Sequence, residues 1–161
     1  MQFRHLRASD LECSTEFPGL AECLDRLDGN QCALLLLAPP GTGKTGAVGS
    51  IARKTGKPVV MCNLLQVLEY PDSPHQLRNL LVACETQRNS VLYLDKLDEL
   101  IDSWDREHPN ETGRMAGLIE EWLQRSRQRL CDEHSLAIFT GRDASRVPQS
   151  LRSTFDRVLT A

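Results

Sequence analysis

The chain has 161 residues, 25% charged and 40% apolar, the mix of a folded domain rather than a disordered segment. Its length supports one domain with a sizeable core. A formal net charge of −3 argues against general attraction to nucleic acid, and the longest apolar run, ALLLLA, is too short to span a bilayer.

The first residues, MQFRHLRASDLEC, lack the apolar core of a secretory signal, so residues 1–17 read as a lead-in. Residues 18–28 space Leu20, Cys23, Leu24 and Leu27 at helical intervals, and Gly29-Asn30 closes that predicted helix. CALLLLA at 32–38 is a continuous apolar run, as a parallel strand covered on both faces requires. After the turn PPGTGKT comes a helix over 46–58, with Ala47, Val48, Ile51 and Ala52 on one face and Gly56 and Pro58 ending it. VVMCN at 59–63 reads as a second strand, LLQVLEY as a short helix broken by PDSP at 71–74. A helix over 75–87 aligns Leu77, Leu80, Leu81 and Cys84, and leads to the strand VLYLD at 91–95. WDREHPNET at 104–112 reads as a polar surface loop, with Trp104 either a subunit contact or a loop anchor. Residues 113–130 form the strongest amphipathic pattern, with Met115, Leu118, Ile119, Trp122 and Leu123 inward. SLAIFT at 135–140 is a strand, VPQSLRS a short helix and DRVLT a last strand.

Strands alternating with helices imply an α/β domain: a parallel sheet, right-handed crossovers and helices on both faces. Ligands bind such sheets beyond the carboxyl ends of the strands, which points to the loops after Ala38, Asp95 and Thr140. The six cysteines, Cys13, Cys23, Cys32, Cys62, Cys84 and Cys131, form no C-x-x-C pair. They read as free buried thiols in a reducing compartment, cytoplasmic or nuclear, rather than as a zinc site or disulfide framework. His5, His75, His108 and His134 are scattered and read as surface residues. QRSRQR at 124–129 reads as the solvated face of its helix, with nucleic-acid contact the lesser alternative.

The stretch APPGTGKT at 38–45 matches the phosphate-loop template G-x-x-x-x-G-K-[ST] except at its first position, Ala38. Such a loop points backbone N–H groups of a helix N-terminus at phosphate oxygens. Gly41 and Gly43 permit the tight turn, Lys44 can reach the β- and γ-phosphates, and Thr45 can hold magnesium with its hydroxyl. Pro39, Pro40, Gly41, Thr42, Gly43, Lys44, Thr45 and Gly46 are therefore the candidate nucleotide cradle.

Together with VLYLDKLD and AIFTGRDASRVPQSLRSTFDRVL, this stretch resembles the AAA+ ATPase family over residues 18–160. The resemblance implies the P-loop NTPase three-layer α/β fold with a parallel five-stranded sheet of order 5-1-4-3-2. It also implies ATP with Mg2+ and assembly with other AAA+ subunits into a ring, commonly a hexamer. Family members carry a helical lid after this portion. The chain ends at Ala161, where the lid would begin, so residues 1–161 are expected to be the nucleotide-binding α/β domain of a longer protein.

Three positions depart from the family. Asp95 matches its acidic strand end and is implied as a Mg2+ residue acting through a bound water, but Lys96 stands where the water-activating Glu belongs. An ordinary lysine cannot accept a proton at neutral pH; its cation is free to pair with the γ-phosphate or a neighbouring acid. Asp98 and Glu99 are candidate substitutes for the missing base, but they begin the next turn and are expected to point elsewhere; the other reading is first-turn acids complementing a helix dipole. The family's T-N-R is Thr140-Gly141-Arg142 here: Thr140 offers a hydroxyl, Gly141 nothing. The family's R-F-D-R is Thr154-Phe155-Asp156-Arg157. Arg157 matches the arginine implied to reach a neighbouring subunit's nucleotide, Arg152 is a substitute for the missing one, and solvent exposure is the alternative for both. Tyr70, near the family's pore loop, is followed by Pro-Asp and reads as a half-buried turn anchor.

A nearly intact loop beside three altered catalytic positions predicts an ATP-binding core with impaired or slow hydrolysis acting in a ring. Two alternatives stay open: an active AAA+ ATPase remodelling a protein substrate, and a P-loop ATPase associated with nucleic acid.

Overall fold

The computed structural model describes residues 3–27 and 30–161; Gly29, the predicted helix stop, lies outside them. The strands are β1 (Arg4–Leu6), β2 (Ala33–Leu37), β3 (Val59–Asn63), β4 (Val91–Asp95), β5 (Leu136–Gly141) and β6 (Arg157–Thr160). The helices are α1 (Leu20–Asp25), α2 (Lys44–Thr55), α3 (Ser73–Glu85), α4 (Leu97–Glu107), α5 (Arg114–Asp132) and α6 (Gln149–Arg152). One six-stranded sheet runs β1-β3-β4-β5-β2-β6, parallel except for β1.

The apolar runs of the central strands follow from two covered faces. In β2, Ala33, Leu35 and Leu37 point into a core made with α3, α4 and α5, while Leu34 and Leu36 point into a second core under α1 and α2. The same alternation sends Leu92 and Leu94 of β4, and Ala137 and Phe139 of β5, to the first core; Tyr93 and Ile138 go to the second. Each fully buried leucine contributes roughly 1.5–3 kcal/mol relative to exposure. Phe139 is gripped edge-on by Trp122 and Phe155, at centroid distances of 6.4 and 5.5 Å.

Read from β6, the parallel strands follow the order 5-1-4-3-2 that the family resemblance implies. The structure corrects the strand number, because the lead-in adds β1, antiparallel on the edge of β3 with Leu6 opposite Val59. The rest of the lead-in lies across α2. Ser14 N donates to Gly46 O (3.1 Å) and Ser50 Oγ donates to Ser14 O (2.7 Å). A Cβ at Gly49 would stand 1.9 Å from Glu12 O, so this crossing needs glycine.

Two further expectations change. Residues 104–107 are the last turn of α4 rather than a loop, because Trp104 continues the inward stripe of Leu97, Leu100 and Ile101. Trp104 is 5% exposed, donates from Nε1 to Glu111 O (3.1 Å) and stacks on the half-buried His108 at 3.6 Å; it is a loop anchor. The cysteines are not all free. Cys32, just before β2, is bonded to Cys131 in the last turn of α5, with their Cα atoms 5.5 Å apart. Of the others, Cys23, Cys62 and Cys84 are buried and Cys13 is exposed. The bonded pair removes the support that free thiols lent to a reducing compartment.

Candidate functional site

The loop between β2 and α2 sits at the carboxyl ends of the parallel strands. Gly41 and Gly43 adopt φ of 81° and 91°, and a Cβ on either would meet nothing within 4 Å. Backbone conformation, not crowding, therefore requires glycine, and the space above the loop is open. Gly43 caps α2, so the first N–H groups of that helix face this space. Thr42 Oγ1 donates to Pro39 O at 2.6 Å and ties the exposed tip. Ala38 is 1% exposed and is not among the residues with positive φ, so its methyl is compatible with the first template position.

Lys44 Nζ donates to Ala38 O (2.6 Å) and Gly141 O (2.9 Å), bridging the loop to the end of β5. Burial lowers its pKa, while the carboxylates of Asp95 and Asp98 pull it back up. Asp95, at the end of β4, accepts through Oδ1 from Thr140 Oγ1 (2.6 Å) and from Lys96 N (2.9 Å). Thr45 Oγ1 lies 3.4 Å from the hydroxyl of Tyr93, whose phenol burial pushes up in pKa. The Thr45 hydroxyl and the Asp95 carboxylate are hard oxygen donors beside the cradle. That donor set fits Mg2+, which takes one or two protein oxygens and completes its shell with water and phosphate.

Lys96 takes φ 69° and ψ 41° as the cap of α4, a left-handed conformation costing a non-glycine residue roughly 1–2 kcal/mol. Asp98, two residues on in the first turn of α4, is turned into the protein rather than out to solvent. It is 1% exposed, accepts from Asp143 N through Oδ2 at 3.1 Å, and has no hydrogen-bond partner at Oδ1. Glu99 Oε1 lies 3.1 Å from Arg142 Nε, an ion-pair distance without hydrogen-bond alignment.

A cavity of about 360 Å³ is lined by Pro40, Gly41, Gly43, Lys44, Thr45, Gly46, Asp95 and Lys96 of the candidate set. Glu12, Tyr93, Asp98, Glu99, Gly141 and Arg142 complete the wall. Pro39 and Thr42 form the outer tip rather than the wall, and Thr140 is buried behind Asp95. Arg157 stands elsewhere: it opens β6 opposite Leu34, half-buried near Cys23 of α1. Sequence reasoning missed Glu12, Tyr93 and Arg142. Tyr93 carried a signal, a phenol in a buried strand two residues before Asp95; Glu12 carried none, because only the chain crossing brings it there.

A strand–loop–helix cradle on a parallel sheet of this order, with Asp95 at the end of β4, one strand beyond the adjacent β5, defines a P-loop NTPase fold. Residues 34–161 match the ATPase family associated with various cellular activities (AAA). The chain belongs to that family. It is similar to the crystal structure of the FIGL-1 AAA domain, with a TM-score of 0.66 and 16% identity over 96% of this chain. At that identity the likeness speaks to fold alone, and the chain spans about half (55%) of the length of that chain. Among the described residues no helix is long and apolar enough to cross a membrane.

Proposed function

We propose that this chain is an ATP-binding AAA+ core module with impaired or slow hydrolysis that works in an oligomeric ring. The observation that carries the reading is an open phosphate cradle whose wall presents a cation, Lys96, at the water-activating position. On this reading Lys44 exchanges its bonds to Ala38 O and Gly141 O for β- and γ-phosphate oxygens, and the loop N–H groups take the rest. Thr45 and Asp95 hold Mg2+, which when bound neutralises phosphate charge. Thr140 orients the Asp95 carboxylate. Lys96 adds positive charge near the γ-phosphate, which favours retention of the triphosphate while supplying no base. Arg157, remote from its own cradle, is the residue offered to a neighbouring subunit's nucleotide.

The nucleic-acid alternative has less behind it. Arg125, Arg127 and Arg129 of the basic stretch pair with Glu121, Asp156, and Glu85 and Glu133 respectively. Calorimetric titration with ATP and ADP, with and without Mg2+, followed by single-turnover hydrolysis of the unmodified protein and of Lys96→Glu, tests the proposal. Mg-dependent ATP binding is expected, with hydrolysis rising roughly 100-fold in the variant. A folded protein that takes up neither nucleotide ends the nucleotide reading. Brisk turnover without substitution removes the impaired part of it and favours the active remodelling ATPase.

A further inference from the structure

Arg142 stands between two cavities. It lines the phosphate cavity and also a second one, of about 410 Å³, alongside α4, whose wall includes Glu99, Asp102 and Arg146. Its main chain is held on both sides. Gly141 O accepts from Ala38 N (3.0 Å) and Lys44 Nζ (2.9 Å), and Asp143 N donates to the buried Asp98 at 3.1 Å. The backbone is thus tied to the phosphate loop and to α4, and the side chain is the part left to move. Its partner holds it loosely. Nε lies 3.1 Å from Glu99 Oε1 without hydrogen-bond alignment, and 54% of the arginine side chain is exposed. An exposed, misaligned ion pair contributes little. The Arg146 guanidinium of the second cavity, by contrast, is shared between Asp102 at 3.4 Å and Asp143 at 3.5 Å. Arg142 is also close enough to Lys44 for its charge to lower the lysine pKa. Two cations that repel one another across a cavity are both relieved by an anion placed between them.

We propose that Arg142 is the γ-phosphate-binding residue by which this site tells a nucleoside triphosphate from a diphosphate. The inference rests on the nucleotide-binding reading and deepens it. With ADP bound, Arg142 stays on Glu99. When a third phosphate is present, the side chain turns into the phosphate cavity, where Gly141 contributes no side chain of its own. A guanidinium meets phosphate oxygens with two parallel charge-assisted bonds, the alignment that Glu99 does not give it. Glu99 lines the second cavity as well, so water takes over the oxygen that Arg142 gives up. The triphosphate therefore exchanges a weak pair for a strong one, while the diphosphate leaves the resting pair intact.

The test is calorimetric titration with the non-hydrolysable β,γ-imido analogue of ATP and with ADP, each with Mg2+. It compares the unmodified protein with Arg142→Ala, Arg142→Lys and Glu99→Gln. In Arg142→Ala, affinity for the triphosphate analogue is expected to fall about 10–100-fold, while affinity for ADP changes by less than about twofold. Arg142→Lys keeps the charge without the paired geometry and should fall between the two proteins. Glu99→Gln releases Arg142 and should raise affinity for the triphosphate analogue about two- to fivefold, with ADP unchanged, a gain that a merely structural ion pair would not produce. An equal loss for both nucleotides in Arg142→Ala, or no loss for either, overturns the proposal. Should Arg142→Ala fail to fold, Glu99→Gln decides: a gain confined to the triphosphate supports the role, and unchanged or lower triphosphate affinity rejects it. Failure of the unmodified protein to bind either nucleotide would instead sink the nucleotide reading itself.

Discussion

At the scale of single residues, backbone angles and burial carry most of what distinguishes this site. Lys96 holds a left-handed conformation that a Cβ disfavours. Lys96→Gly is expected to stabilise the fold by about 0.5–1 kcal/mol in urea denaturation, the relief being partly offset by the greater freedom of glycine in the unfolded chain. The thiols give a second expectation. Burial raises the pKa of Cys62 to about 11, pushes Cys84 higher still and raises Cys23. Their thiolate fraction at pH 8 is therefore below that of a free cysteine, and native protein should show one fast-reacting thiol, the exposed Cys13, in a thiol-reagent titration. Reaction at Cys62 should stay slow until the pH approaches that raised pKa. The motif residues Gly41, Gly43, Lys44 and Asp95 were legible because their chemistry is tied to adjacent sequence. Asp98 was not: a first-turn acid looks alike whether it faces water or a cavity, and only the glycine forty-three positions later opens the space it enters.

At the scale of elements, the central strands were legible because burial on both faces leaves no room for polar residues, and the run itself marks the strand. The end of α4 was missed because Asp105, Arg106 and Glu107 look like loop, although Leu97, Leu100, Ile101 and Trp104 keep helical spacing through them. β1 was missed for a different reason: a three-residue strand has too little pattern to read, and it exists because β3 offers an unpaired edge. The crossing of the lead-in over α2 is tightest at Gly49. Gly49→Ala is expected to destabilise the domain by about 1–3 kcal/mol, since backbone rather than a flexible side chain must yield. The same variant should free residues 7–14 to hydrogen exchange before the central strands.

At the scale of the whole molecule, a covalent link joins the start of β2 to the end of α5 across 99 positions of sequence. Cysteine spacing could not announce it, because the two residues meet only when α5 has packed on the first core. Closing so long a loop restricts the unfolded chain, and reduction is expected to lower the unfolding free energy by about 2–4 kcal/mol, seen as a melting midpoint lower by on the order of 10 °C. Thiol counting after denaturation should give four groups without reductant, the free cysteines, and six with it.

That link also turns everything between Cys32 and Cys131 into a closed ring of chain, with the phosphate loop on its circumference. A protease that clips once inside the ring opens it without liberating a piece. The clipped molecule should migrate as a single species on a non-reducing gel and as two after reduction.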